Sequence, residues 1–188
     1  MLDSRREESD IAAAMRRLML LRHAKTERAA PGESDRDRHL TKRGRADAPA
    51  IGAYMARNGL IPDLALVSPA TRAQETWSLL VPALGKATKV RSDERIYNAS
   101  WERLLHLVGE TRGVRSLALV GHNPGLHDLA VQLIASGDVE ARAYLTEKLP
   151  TAGLAVIDFA SDDWSAVLPR SGRLERFISP RLLGAETQ

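Results

Sequence analysis

Ser116-Leu117-Ala118-Leu119-Val120-Gly121-His122-Asn123-Pro124-Gly125 is the stretch whose reading decides the fold. The apolar run Ser116 to Val120 reads as a buried strand. Gly121-His122-Asn123-Pro124-Gly125 breaks it, and Leu126 to Ala135 reads as the helix that follows. A strand that runs into a polar turn and then a helix is the unit of an α/β layer fold.

The same unit recurs upstream. Leu18 to Leu21 is a short apolar run that stops at Arg22-His23-Ala24-Lys25. A polar, Gly- and Pro-containing loop follows to about His39. Thr41 then caps a predicted helix that ends at Asn58-Gly59. Ala46, Pro49, Ala50, Ala53 and Tyr54 suggest its apolar face, with Pro49 as a reason for a later start. Leu64 to Val67 reads as a second strand, ended by Ser68-Pro69, with a helix over Ala70 to Leu80. Thr88 to Val90 is a weak third strand, and Trp101 to Val108 a helix. Leu154 to Phe159 and Trp164 to Leu168 read as a hairpin turning at Ser161-Asp162-Asp163, with Leu174 to Ile178 a last short element.

The expectation is therefore an α/β fold of three layers, helix-sheet-helix, with a mostly parallel central sheet and an antiparallel edge. Residues 1–17 read as a flexible arm and 18–188 as one domain. The chain's 188 residues suffice for one sizeable core.

Composition removes several classes. There is no cysteine, so disulfides, thiolate metal sites and a cysteine nucleophile are excluded; this fits a cytoplasmic location. No apolar run approaches a membrane span, and Leu18 to Leu21 is too short for a signal-peptide core. An aromatic content of 4% leaves little for base stacking, which argues against nucleic acid. The net charge of +3 is matched by the segment Arg22 to Asp47 alone, with eight basic and five acidic residues. Such a segment either serves an anionic ligand or is a salt-bridged loop.

In sheets of this kind ligands sit at the carboxyl ends of the strands. Three of those ends carry Arg22-His23, Ser68-Pro69 leading to Arg72, and His122-Asn123. Each residue alone has an ordinary reading: a surface histidine, a solvated arginine, a turn. Together they would form a compact cationic pocket. Arginine forks and helix starts match phosphate oxygens. A histidine among positive charges stays neutral and nucleophilic. The chemistry implied is phosphoryl transfer through a phosphohistidine. No P-loop, dinucleotide fingerprint, clustered carboxylates or zincin spacing is present, so neither a cofactor nor a metal is expected.

The three motifs resemble those of the histidine phosphatase superfamily, also called phosphoglycerate-mutase-like. Leu20-Leu21-Arg22-His23-Ala24 resembles its Arg-His-Gly signature, with Ala24 in place of glycine. Val67-Ser68-Pro69-Ala70-Thr71-Arg72-Ala73-Gln74-Glu75-Thr76 resembles its second motif, and Val120 to Gly125 its third. Leu40-Thr41-Lys42-Arg43-Gly44 and Gly-His-Asn-Pro-Gly are similar to the SixA-like phosphohistidine phosphatases. The resemblance implies a phosphoglycerate-mutase-like fold and a metal-independent phosphatase. His23 would be the nucleophile. Arg22, Arg72 and His122 would clamp the phosphoryl oxygens, and Asn123 would add a backbone donor. Asp93-Glu94-Arg95-Ile96-Tyr97 resembles a mutase segment whose glutamate donates a proton, which makes Glu94 the candidate acid. The substrate would be a phosphohistidine on a protein partner or a small phosphate ester. The alternative from another class is a non-enzymatic module that binds phosphate or phosphopeptides. The basic segment between Arg28 and Arg45 would form one pocket wall and help dock an acidic partner.

Overall fold

The computed structural model describes residues 15–186. It contains one seven-stranded sheet in the order β3-β2-β4-β1-β6-β7-β5. The strands are β1 (Met15–Arg22), β2 (Leu64–Val67), β3 (Lys89–Ser92), β4 (Ser116–Gly121), β5 (Ile134–Gly137), β6 (Leu154–Ala160) and β7 (Gly172–Ile178). The helices are α1 (Lys42–Arg57), α2 (Thr71–Leu80), α3 (Trp101–Gly109), α4 (Gly125–Leu133), α5 (Val139–Glu147) and α6 (Pro180–Glu186). β3, β2, β4 and β1 run parallel; β6 is antiparallel to both β1 and β7.

The middles of the central strands, Leu18 to Leu21 and Leu117 to Val120, are continuously apolar because both faces are covered. Side chains alternate across a strand. Leu18 and Leu20 of β1 therefore join Leu117 and Leu119 of β4 under α3, α4 and α5. Met19 and Leu21 join Ala118 and Val120 on the other face, against Ile51 and Met55 of α1 and Trp77 and Leu80 of α2. The expected three layers are present.

Register is what makes a site. Arg22 lies beside Gly121, and Val67 beside Val120. The carboxyl ends of β2, β4 and β1 are thus level and adjacent, with β4 between the other two. The chain leaves β1, passes to β2 and β3, and returns through β4, so the strand order reverses at this edge.

Several expectations need correction. β1 begins at Met15, so the expected arm loses residues 15–17 to the sheet, where Arg17 ion-pairs with Asp158 of β6 at 2.6 Å. The rest of that arm lies outside the described residues. α1 does start behind Thr41, whose side chain accepts from Gly44 N. Pro49 lies inside it, and the buried face is Gly44, Ala48, Ile51, Tyr54 and Met55, not the alanine stripe. Burial of that face outweighs one missing helical hydrogen bond. Trp164 to Leu168 is not a strand. Trp164 is a core plug on a 3-10 turn, its Nε1 donating to Val114 O at 2.8 Å, and β6 pairs instead with Gly172–Ile178. α4 ends at Leu133, and Ile134–Gly137 forms an edge strand parallel to β7. The helices α5 and α6 were not expected.

Candidate active site

His23 follows β1 directly. Its backbone N–H donates to Gly121 O at 3.1 Å, and its carbonyl accepts from Ala152 N at 3.1 Å. The ring Nδ1 lies 2.8 Å from Ala24 O. A carbonyl can only accept, so Nδ1 carries the proton and Nε2 keeps its lone pair. This fixes the tautomer a nucleophile needs.

Arg72 is in the first turn of α2, and α2 is tied to β1 by one residue. Thr76 Oγ1 accepts from Ala24 N at 2.9 Å and donates to Arg72 O at 2.6 Å. The fully buried threonine thus locks the Arg72 turn against the His23 loop. Gln74 Nε2 donates to Ser68 O at 2.7 Å, closing the start of the same helix. These two contacts account for the residue types that stand two and four positions after Arg72.

His122 follows β4, and its ring centroid lies 5.2 Å from that of His23. Its Nε2 is 2.7 Å from Ser68 Oγ, which itself accepts from Ala70 N at 3.4 Å. A serine hydroxyl can donate to Nε2 or accept from it; when it donates, His122 carries its proton on Nδ1. Arg22 Nη1 and Asn123 Nδ2 both donate to Leu149 O at 2.9 Å. Among the described residues of this site, Arg22 Nε, His122 Nδ1 and Asn123 Oδ1 are buried without a hydrogen-bond partner. Arg22 Nε is thus a spare donor, as is His122 Nδ1 in that tautomer, and spare buried donors are what an anion needs; Asn123 Oδ1 is a spare acceptor beside them. Two close approaches hold the rim: a Cβ on Gly44 would lie 2.2 Å from Lys25 O, and one on Gly125 2.1 Å from Ala99 O.

Arg22, His23, Arg72, His122 and Asn123 line one cavity of about 380 Å³, together with Lys25, Thr26, Asp35, Arg38, Asn98 and Thr151. His23 and His122 are 8% and 7% exposed. Burial, more than the neighbouring positive charge expected from the sequence, pushes the His23 imidazole down to about 3. The bond to Ala24 O opposes this, while His122, Arg72 and Arg22 add to it. His122 is pushed down to about 4, first by burial and then by Arg72, with Asp35 opposing. Burial also lowers Arg22. Both imidazoles are therefore neutral near pH 7.

Glu94 is not brought into the cavity. It opens a 3-10 turn whose Ile96 is buried. That anchoring turns Glu94 outward, where its side chain is 71% exposed and pairs with Arg36 at 2.6 Å. Asp35 is the carboxylate that does line the cavity. Arg72 donates to it twice, from Nη1 to its carbonyl and from Nη2 to Oδ2 at 2.9 Å. Arg38 Nη1 donates to Oδ1 at 2.9 Å and Tyr97 OH to Oδ2 at 3.0 Å. Arg38 foremost, then Tyr97 and Arg72, pull Asp35 down to about 2. The Tyr97 ring stands edge-on to His122, with centroids 5.6 Å apart. Sequence reading missed Asp35 and Tyr97. Tyr97 closes the segment that pointed to Glu94, whereas Asp35 carried no signal beyond its place in a charged loop.

That charged loop is largely paired within the molecule. Arg36 meets Glu94, Arg38 meets Asp35, Arg43 meets Asp47 and Arg45 meets Glu75. The salt-bridged reading holds for these arginines; of the segment between Arg28 and Arg45, Asp35 and Arg38 line the cavity. A larger cavity of about 530 Å³, between α3 and residues 165–169, is lined by Trp101, Leu105, Val167, Leu168 and Pro169 among others and contains none of the motif residues. Among the described residues no three His, Asp or Glu side chains are grouped to hold a metal ion, and no helix is long and apolar enough to cross a membrane.

Comparison with known proteins agrees with this geometry. Residues 18–112 match the model of the histidine phosphatase superfamily, branch 1. An uncharacterized protein of Mycobacterium tuberculosis is 34% identical over 165 residues, covering 86% of this chain and all of that protein. The crystal structure of a putative phosphohistidine phosphatase SixA from Agrobacterium tumefaciens superposes with a TM-score of 0.76 at 35% identity, covering 88% of this chain and 98% of that one. A mycobacterial glucosyl-3-phosphoglycerate phosphatase shares the fold at a TM-score of 0.55 and 19% identity, with 86% and 97% covered.

Proposed function

Because the chain belongs to the histidine phosphatase superfamily and is a phosphatase, we propose that its substrate is phosphohistidine carried on a protein. The reaction would run in two in-line steps through His23. The Nε2 lone pair forms a bond to phosphorus as the bond from phosphorus to the leaving nitrogen breaks. The electron pair stays on the leaving imidazole, which departs neutral because its distal nitrogen holds a proton. The His23 ring becomes cationic when phosphorylated, and its Nδ1–H remains bonded to Ala24 O. Water then adds to phosphorus, its proton passes to a phosphoryl oxygen, and the pair returns to Nε2.

Arg22, Arg72 and His122 Nδ1–H hold the phosphoryl oxygens and stabilise the charge that develops on them. Asn123 has its side-chain amide on Leu149 O, so its role in phosphate binding falls to its backbone N–H.

One observation carries the choice of substrate. Among the described residues Asp35 is the one carboxylate lining the cavity, and its donors hold it ionised. A site without a protonated acid serves a leaving group that brings its own proton. An alkoxide needs a proton in the transition state; an imidazole with its distal nitrogen protonated does not. A phosphohistidine fits this site better than an alkyl phosphate ester.

The test is hydrolysis, in EDTA, of a phosphohistidine-bearing protein beside p-nitrophenyl phosphate. Faster turnover of the phosphohistidine, lost in His23→Ala, is the expected result. Preference for the ester would replace this reading with that of a small-molecule phosphatase. No turnover of either, with phosphate still bound by the variant, would favour a binding module.

A further inference from the structure

The cavity is cationic except at one point. Arg22, Lys25, Arg38 and Arg72 line it, and among the described residues Asp35 is the one acid in its lining. The histidine that attacks is at the floor, nearly fully buried. The Asp35 side chain is 51% exposed, at the mouth. In-line displacement places the leaving group on the far side of phosphorus from Nε2, which is toward that mouth.

Asp35 is also held still. Arg72 grips its carbonyl and its carboxylate together. The loop that carries it is pinned where Thr26 bridges to Leu40 and where Glu75 accepts from Leu40 N at 2.8 Å. An ionised carboxylate offers about four acceptor positions. Arg72 and Tyr97 occupy Oδ2, and Arg38 takes one position on Oδ1. One position on Oδ1 remains for a donor from outside.

We propose that Asp35 is a specificity residue: its carboxylate accepts a hydrogen bond from the protonated distal nitrogen of the leaving histidine and so selects phosphohistidine over phosphate esters. This rests on the phosphohistidine reading above. No proton changes hands in the contact. The distal N–H stays on the leaving ring, the bond from phosphorus to nitrogen breaks with its pair on that ring, and the bond from phosphorus to Nε2 of His23 forms. The ionised carboxylate favours the protonated, cationic form of the bound substrate ring, the form that leaves as neutral imidazole. Without it, that ring would meet only the positive charges of the rim. An alkyl or aryl ester has no such N–H and gains nothing from Asp35.

The readout is a ratio, kcat/KM on a phosphohistidine peptide over kcat/KM on p-nitrophenyl phosphate. Asp35→Asn should lower this ratio by about 10- to 100-fold, the worth of a hydrogen bond to a charged group. Asp35→Glu, which keeps the carboxylate, should restore most of it. An unchanged ratio in Asp35→Asn, however far both rates fall, would overturn the proposal and reduce Asp35 to a positioning residue for Arg72. A wild-type enzyme without phosphohistidine activity would instead remove the reading beneath it, and this proposal with it.

Discussion

The two halves of the sheet divide the work. In the half made of β3, β2, β4 and β1, every pairing is parallel, and β1, β2 and β4 end level at the candidate site residues. In the half made of β6, β7 and β5, no side chain from a strand enters the cavity. That half acts through packing and backbone. The loop before β6 supplies Leu149 O to Arg22 and Asn123, and Ala152 N to His23 O. The all-parallel half presents the candidate reacting groups, and the half made of β6, β7 and β5 supplies contacts that hold them. A larger, more apolar cavity elsewhere on the molecule takes no part in this division.

Two substitutions sharpen the contrast. Arg72→Lys, at the parallel edge, removes the planar fork but keeps the charge. It should cut kcat/KM by about 100- to 1,000-fold, as loss of an oxyanion donor does, and a thermal melt should move far less than the rate. Ile157→Ala, in the middle of β6 and fully buried, should destabilise by about 2–5 kcal/mol in a urea titration. Below the unfolding transition its kcat/KM should match that of the wild type. If Ile157→Ala lost activity while folded, or if Arg72→Lys lost stability and activity in proportion, the two halves would not be separable in this way.

The same contrast explains what could be read from the sequence. Leu18 to Leu21, Leu64 to Val67 and Ser116 to Val120 are buried on both faces, so each is a clean apolar run bounded by polar residues, and the strand ends announce Arg22, His23, Arg72 and His122. The half made of β6, β7 and β5 gives a weaker pattern. Trp164 and Val167 look like strand residues but are core plugs on a turn, while the true partner strand, Gly172–Ile178, alternates with Arg173, Glu175 and Arg176 and reads as polar. Within the site, Asp35 was hidden for a different reason. Its importance depends on a long loop folding back over α2, which no local spacing encodes. Glu94 misled because the segment resembled a catalytic one, whereas burial of Ile96 turns the glutamate out to Arg36.

The central claim is that His23 Nε2 forms a covalent bond to phosphorus. Rapid mixing with a phosphohistidine peptide, an alkaline quench that preserves phosphohistidine, and mass spectrometry of the enzyme's own peptides test it directly. The account predicts a transient phosphoryl group on His23, absent in His23→Ala, which should not turn over. Turnover retained in His23→Ala, or a phosphoryl group on His122 instead, would contradict it.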